Sequence, residues 1–266
     1  MSRGARFLLR HAAKLAALLV GFWLVSIAFA VGSGRGPRAF WIAALVVLIL
    51  ALVLLALWAR WQRERAVREG ALPQFLKRKL RERFPQLDGR DSDLVERGFR
   101  QFFLACVRSE KRFVAMPSRV VDAYWREFTR HARAYADWCE LTLGRILAHT
   151  PAVPPGADAG DNDGLRRAWY WSCRDEAIDP RKPSRLPLLF ALDRKLAIAG
   201  GIVYVADALA QGAAAGAGSA HSGASFADSS LSGDAEGMGG VDASDGDGGG
   251  DGGGDGGGGD GGDGGD

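Results

Sequence analysis

Two runs without a charged residue, Leu15 to Val31 and Phe40 to Trp58, stand close together near the start of the chain. Each is about as long as a helix needs to cross roughly 30 Å of hydrocarbon at about 1.5 Å per residue. Only GSGRGPRA separates them, and its Gly and Pro residues favour a tight reversal. A transmembrane helical hairpin over 15–59 is the expectation. Arg3, Arg6, Arg10 and Lys14 precede the first run and Arg60, Arg63, Arg65 and Arg68 follow the second, against Arg35 and Arg38 between them. Lys and Arg concentrate on the cytoplasmic side of a membrane, so both termini and everything after the hairpin are expected there, at the inner membrane. Trp41, Trp58 and Trp61 suit the interface, where an indole keeps its apolar body in lipid and its N–H in water. Ala28-Phe29-Ala30 behind the basic start also imitates a signal-cleavage site; cleavage would leave the second run to stop transfer with the same orientation.

Charge divides the remainder. The formal net charge of +3 hides a basic front and an acidic rear, because no Lys or Arg follows Lys195 while Asp and Glu recur from Asp207 to Asp266. The segmentation that follows is a basic N-terminus at 1–14, the hairpin at 15–59, a basic juxtamembrane stretch at 60–90, a helical domain at 91–206 and an acidic Gly-rich tail at 207–266. The tail offers too little apolar surface to offset its ordering entropy, so disorder is expected. Asp251 to Asp255 imitates a calcium-binding repeat, yet no recurrent apolar residue follows Val241 to pack such a coil. Cys106, Cys139 and Cys173 form no CxxC pair and are odd in number, which suits reduced, unpaired thiols.

In the juxtamembrane stretch, Leu72, Phe75, Leu76, Leu80 and Phe84 recur near helical spacing among Arg60, Arg63, Arg65, Arg68, Lys77, Arg78 and Lys79. An amphipathic segment of this kind can lie on a membrane with its cations at lipid headgroups, or can be a solvated face that only enforces topology. No nucleic-acid reading motif accompanies the charge, and no nucleic-acid partner is expected. In the domain, Leu94, Val95, Phe99, Phe102, Phe103 and Cys106 share one stripe of a helix over Asp93 to Cys106. Met116-Pro117-Ser118 reads as a helix start. Val121, Tyr124, Trp125, Phe128, Ala132, Tyr135 and Cys139 then step at three or four residues, predicting one long helix that ends near Gly144.

A polar Pro/Gly linker fills 151–164, with Asp163 as the cap of a further helix. That helix turns Leu165, Ala168, Trp169 and Cys173 inward and Arg166, Arg167, Arg174 and Glu176 to water. LLFALDRKLAI adds a last helix, and Ile202 to Val205 reads as a short strand or a packed terminus. The fold class is all-α, with four or five helices around one core behind the hairpin.

Met116-Pro117-Ser118, Val121-Asp122, Trp125, Phe128, Tyr135, Cys139, Gly144 and His149-Thr150-Pro151 together resemble the glycine-rich domain-containing proteins of bacteria. These are distantly similar to the helical domain of plant glycine-rich domain proteins. Arg185 to Asp193, Lys195-Leu196 and the Gly-rich C-terminus extend the likeness over about 95 to 206 and the tail. The resembled pattern places His after the tryptophan and a second His beside the one before Thr-Pro; here those positions are Arg126 and Ala148. A Trp-His, Cys and His-His set would suit zinc, whereas this chain keeps Cys139, His149 and His131 alone.

Three functions from different classes are therefore expected. The first is a membrane-tethered helical interaction module, with the lipid bilayer and a protein at the inner membrane surface as partners. Trp169, Tyr170 and Trp171 are its candidate contacts, because three successive rings cannot all face inward from one helix. The second is a metal-dependent or thiol enzyme centred on Cys139 and His149. The third is a protein that binds anionic lipid through 60–84. No phosphate-binding Gly loop, HExxH or GxSxG is present, so no catalytic residue and no cofactor is assigned.

Overall fold

Nothing after Trp58 breaks a helix until Gly70 and Pro73, and the second apolar run accordingly does not stop at the expected boundary. In a computed structural model, which describes residues 3–32, 39–154, 159–205 and 220–222, it continues as one helix, α2 (Ala39–Glu69). The first run lies in α1 (Arg3–Gly32), which packs along α2. Each helix is about 45 Å long, and only six residues join them, so the two run antiparallel. Arg35 and Arg38 of that connection lie outside the described residues, as do the side chains of Arg3, Arg6 and Arg10.

Both helices are long and apolar enough to cross a membrane. Their apolar side chains point outward, with Phe22 77 % and Phe29 74 % exposed, so neither is the core helix of a water-soluble domain.

The chain turns at Gly70 because a side chain does not fit there: a Cβ would sit 2.3 Å from the Ala66 carbonyl oxygen and 2.8 Å from the Trp138 ring. α3 (Phe75–Arg83) follows and buries Leu76 and Leu80 against α4 (Gly89–Arg108) and α5 (Arg119–Thr129). The apolar stripe of the juxtamembrane stretch thus belongs to the protein core, in place of either the lipid-lying or the solvated-face reading; the domain begins within α2, well before residue 91. α4 starts earlier than its apolar stripe through a reciprocal cap: Asp88 accepts the Asp91 amide at 2.7 Å, and Asp91 accepts the Asp88 amide at 3.1 Å. α5 begins where predicted, with Ser118 accepting the Val121 amide.

The long helix predicted from Ser118 to Gly144 is two helices, α5 and α6 (Ala132–Thr142), with a corner at Arg130 and His131. No Gly or Pro marks it. On a straight helix Trp125 and Tyr135 would lie about 15 Å apart along the axis. The corner instead brings the Trp125 indole N–H to 2.9 Å from the Tyr135 oxygen and sets Phe128 edge-on to Tyr135, so both helices turn their aromatic faces to one core. Phe99, Phe102 and Phe103 of α4 fill the centre of that core, against Tyr124 and Trp125 on one side and Trp138 on another.

α7 (Ala159–Asp175) packs on α4 and starts before Asp163, so Asp163 is a buried residue paired with Arg166 rather than a cap. Residues 155–158 of the expected linker lie outside the described residues. α8 (Leu188–Lys195) leads to β1 (Val203–Val205), which pairs in parallel with β2 (Ala220–Ser222) in the register Val203 to Ala220. A piece of the tail expected to be disordered is therefore strand; 206–219 and 223–266 lie outside the described residues. Among the described residues the fold is all-α apart from this pair of short strands.

Candidate functional site

Polar side chains concentrate where the C-terminal turns of α2 enter the domain. A helix end leaves its last carbonyls without intrahelical donors. Arg100 of α4 supplies them: its guanidinium donates to Val67 O at 2.6 Å and Gly70 O at 2.8 Å, stacks over the Trp138 ring and pairs with Glu96. Arg108 of α4 donates to Glu64 of α2 at 2.8 Å, and Arg68 of α2 bonds Asp175 of α7, which also lies 3.8 Å from Arg108. Ion pairs between exposed side chains contribute little, but this network is half-buried and joins three elements. α2 is thereby stapled to α4 and α7, and α1 adds a buried Leu9 and packing on α6.

Most of the seven candidate headgroup cations are engaged within the protein. Arg65 pairs with Glu69 and Arg60 loosely with Glu64, along α2. Lys77 bonds Asp93 at 2.7 Å and Glu96 at 2.8 Å, tying α3 to α4; these carboxylates raise the Lys77 pKa. Arg78 and Lys79 share Glu82 on the exposed face of α3. Arg63 differs, because no carboxylate lies within ion-pair distance of it among the described residues and its Nε is buried without a hydrogen bond.

The Cys139 and His149 constellation is divided in two. His149 donates from Nε2 to Asp122 Oδ1 at 2.7 Å and packs edge-on against Trp125. Arg126, standing where the resembled pattern carries histidine, takes the other oxygen of Asp122 at 2.7 Å. Cys139 neighbours Tyr135 instead, whose hydroxyl donates to Leu147 O at 2.6 Å. No hydrogen bond joins Cys139 to His149 among the described residues. Burial pushes the Cys139 thiol up, away from the thiolate that nucleophilic or metal chemistry requires. Cys173 is pushed up to about 12 and Cys106 higher, again by burial. His131 sits exposed at the α5–α6 corner, stacked on Phe75 and donating to Glu127 O. Among the described residues no three His, Cys, Asp or Glu side chains are grouped to hold a metal. His149 fastens the 144–153 loop to α5, Leu147 fastens it to α6, and Val153 bonds Met116 O just ahead of α5.

Of the three successive rings, Trp169 and Tyr170 are buried, which corrects their assignment as surface contacts. Trp169 donates to Pro180 O and meets Phe190 edge-on. Trp171 is half-buried under the Arg108 guanidinium, beside the α2 network, and its Nε1 has no hydrogen-bond partner among the described residues. Arg167, expected in water, is buried and donates to Phe113 O.

Sequence reasoning missed Asp193. Its buried carboxylate accepts the Ser118 hydroxyl at 2.7 Å and the amides of Arg119, Val120 and Ile202 at 2.8, 3.1 and 2.9 Å, binding α8, the start of α5 and the approach to β1 at one point. The first turn of α5 also favours a negative charge there. The only available signal was an acid inside the apolar run LLFALDRKLAI.

Comparison with curated proteins and with solved structures finds no match. A family model described as UCP032817-like matches residues 62–226, more than half of the chain. The matched region opens on the docked turns of α2 and closes beyond β2, so it takes in the stapled helix end together with the whole described domain. On this match the chain belongs to the UCP032817-like family.

Proposed function

We propose that this protein is a membrane-anchored helical interaction module. The hairpin crosses the inner membrane twice, with both termini and the domain on the cytoplasmic side. The single observation that carries this reading is the unbroken α2, whose exposed apolar half runs directly into a half held by Arg100, Arg108 and Asp175. A flexible linker would let the domain swing freely; a stapled helix presents it at a set height and orientation above the bilayer. Such presentation serves a scaffold that meets a protein partner at the same surface. Trp171 is the partner contact, since it alone of the three rings is accessible, and aromatic residues beside Arg are enriched at interface hot spots.

The test uses the full-length chain in its native membrane, with a photo-crosslinking residue replacing Trp171 or, as a control, buried Trp169. A discrete adduct from position 171 and none from 169 is the expected result. Recovery of the chain from the supernatant after high-speed centrifugation overturns the anchoring. Absence of any adduct at 171, with the chain folded and in the membrane, overturns the partner contact.

A further inference from the structure

A cavity of about 1040 Å³ opens at the height where α2 leaves its apolar stretch. Its lower wall is Ala56, Leu57 and Ala59; its upper wall is Arg60 and Arg63 of α2, Lys111 of the α4–α5 turn and Arg145 just after α6. Glu110, on the rim, is the one carboxylate among its lining residues. Arg60 has only the loose contact to Glu64, while Arg63, Lys111 and Arg145 have no carboxylate within ion-pair distance among the described residues. Elsewhere on the seam the cations are matched by acids, so the surplus is local.

The cavity is shaped around Arg63. Gly144, at φ +71°, brings the end of α6 so close that a Cβ there would lie 2.6 Å from Arg63 Nη2 and 3.1 Å from its Cζ. The guanidinium is thus held in place by contact, with a buried Nε that no hydrogen-bond partner satisfies among the described residues. A planar fork of donors held this way suits two phosphate oxygens better than it suits water alone. Depth agrees. Measured along the helix, Arg60 and Arg63 stand about 3 and 8 Å beyond Trp58, within the headgroup layer of roughly 5–8 Å that covers each side of the hydrocarbon. Leu57, Trp58 and the exposed Trp61 mark the interface below and beside them.

We infer that this cavity binds the phosphate of an anionic phospholipid from the adjoining leaflet, with Arg63 as the fixed donor, Arg60, Lys111 and Arg145 as surrounding cations, and Ala56 and Leu57 against the acyl chains. A bound lipid would then bridge α2, the α4–α5 turn and the end of α6. The inference rests on the membrane-anchored reading only for the presence of a bilayer. It does not depend on the protein partner.

The full-length chain in detergent is titrated with phosphatidylglycerol or phosphatidylcholine and followed by native mass spectrometry. Incorporation into phosphatidylcholine vesicles tests the anchoring separately. One phosphatidylglycerol retained at least tenfold more tightly than phosphatidylcholine is expected, with the preference lost in Arg63→Gln and in the exposed pair Lys111→Gln with Arg145→Gln. Arg65→Gln with Arg78→Gln removes the same charge outside the cavity and should leave the preference intact. The paired surface variant keeps the test valid if Arg63→Gln impairs folding. Equal weakening by both charge-removing pairs means diffuse attraction and overturns the site. Displacement of the lipid by millimolar inorganic phosphate means a soluble-anion site and overturns the lipid assignment.

Discussion

The hairpin and the domain use the same apolar residue types with opposite geometry. Phe22 and Leu54 stand 77 % and 65 % exposed, whereas Phe99, Phe102 and Phe103 are fully buried within one aromatic cluster. On the proposed anchoring, hydrocarbon is the solvent of the hairpin, and a side chain there gains its burial without a specified neighbour. In the domain each ring has a particular partner, and two buried carboxylates are held by several donors each, Asp193 by four and Asp122 by two. Position in the first region is therefore set by length and flanking charge, and in the second by individual hydrogen bonds. Substitutions should separate the two regimes.

The largest effect is expected at Asp193. Asp193→Ala leaves the Ser118 hydroxyl and three amides without their acceptor inside the protein, and such losses of a buried hydrogen-bonded charge cost about 3–5 kcal/mol. The domain melt of the full-length chain, followed by near-ultraviolet circular dichroism in detergent, should fall by roughly 10 °C. Leu54→Ala in the hairpin should leave that melt in place. Comparable losses from the two variants would break the contrast.

Arg100→Ala comes next, because it uncaps α2 at Val67 and Gly70 and removes a hydrogen-bonded cation, at about 1.5–3 kcal/mol. The loss is local, so amide exchange should accelerate over 66–72 while 41–58 stays protected in detergent or bilayer. Unchanged exchange at 66–72 would show that the helix end is held by packing on Trp138 instead.

How much of this was legible in the sequence follows the same division. The apolar runs, the stripe of α4 and the cap at Ser118 depend on neighbours in sequence and were read directly. The corner at Arg130 and His131 was not, since no residue there refuses a helix and the bend comes from aromatic faces meeting the core. Leu72, Leu76 and Leu80 gave a correct amphipathic pattern but no indication of what would cover it, because a stripe facing lipid and a stripe facing α5 look alike. Arg167 was read as a surface charge and Asp193 was passed over, their partners lying on distant segments. Of the cavity, Arg60 and Arg63 were legible and Lys111 and Arg145 were not, since only the fold brings these elements together. The division of Cys139 from His149 also required the corner.

His149→Ala should cost about 1 kcal/mol, as one hydrogen bond is lost while Asp122 keeps Arg126. Its sharper signature is faster exchange over 144–153 with the rest of the domain unaffected.

The smallest effect sharpens the seam itself and is read by acid. Burial at Glu96 opposes its ionisation, but Lys77 and Arg100 outweigh that and hold its carboxyl below the ordinary value of 4.5. A carboxyl whose pKa is lower folded than unfolded stabilises the protein above its unfolded value, and that contribution disappears as pH falls through the folded one. Glu96 is partly solvated, so screening limits its share to less than about 1 kcal/mol. Lys77, with its pKa raised by Asp93 and Glu96, has the opposite sign: its contribution is complete below the unfolded value of 10.5 and is lost only as pH rises through the folded one. Melting from about pH 6 to about pH 3 should therefore show a loss of stability that is shallower in Glu96→Gln than in the parent chain. Arg78→Gln, on the exposed face of α3, should leave the slope unchanged. Identical acid slopes for Glu96→Gln and the parent would remove Glu96 from the forces that hold α3 and the end of α2 to α4.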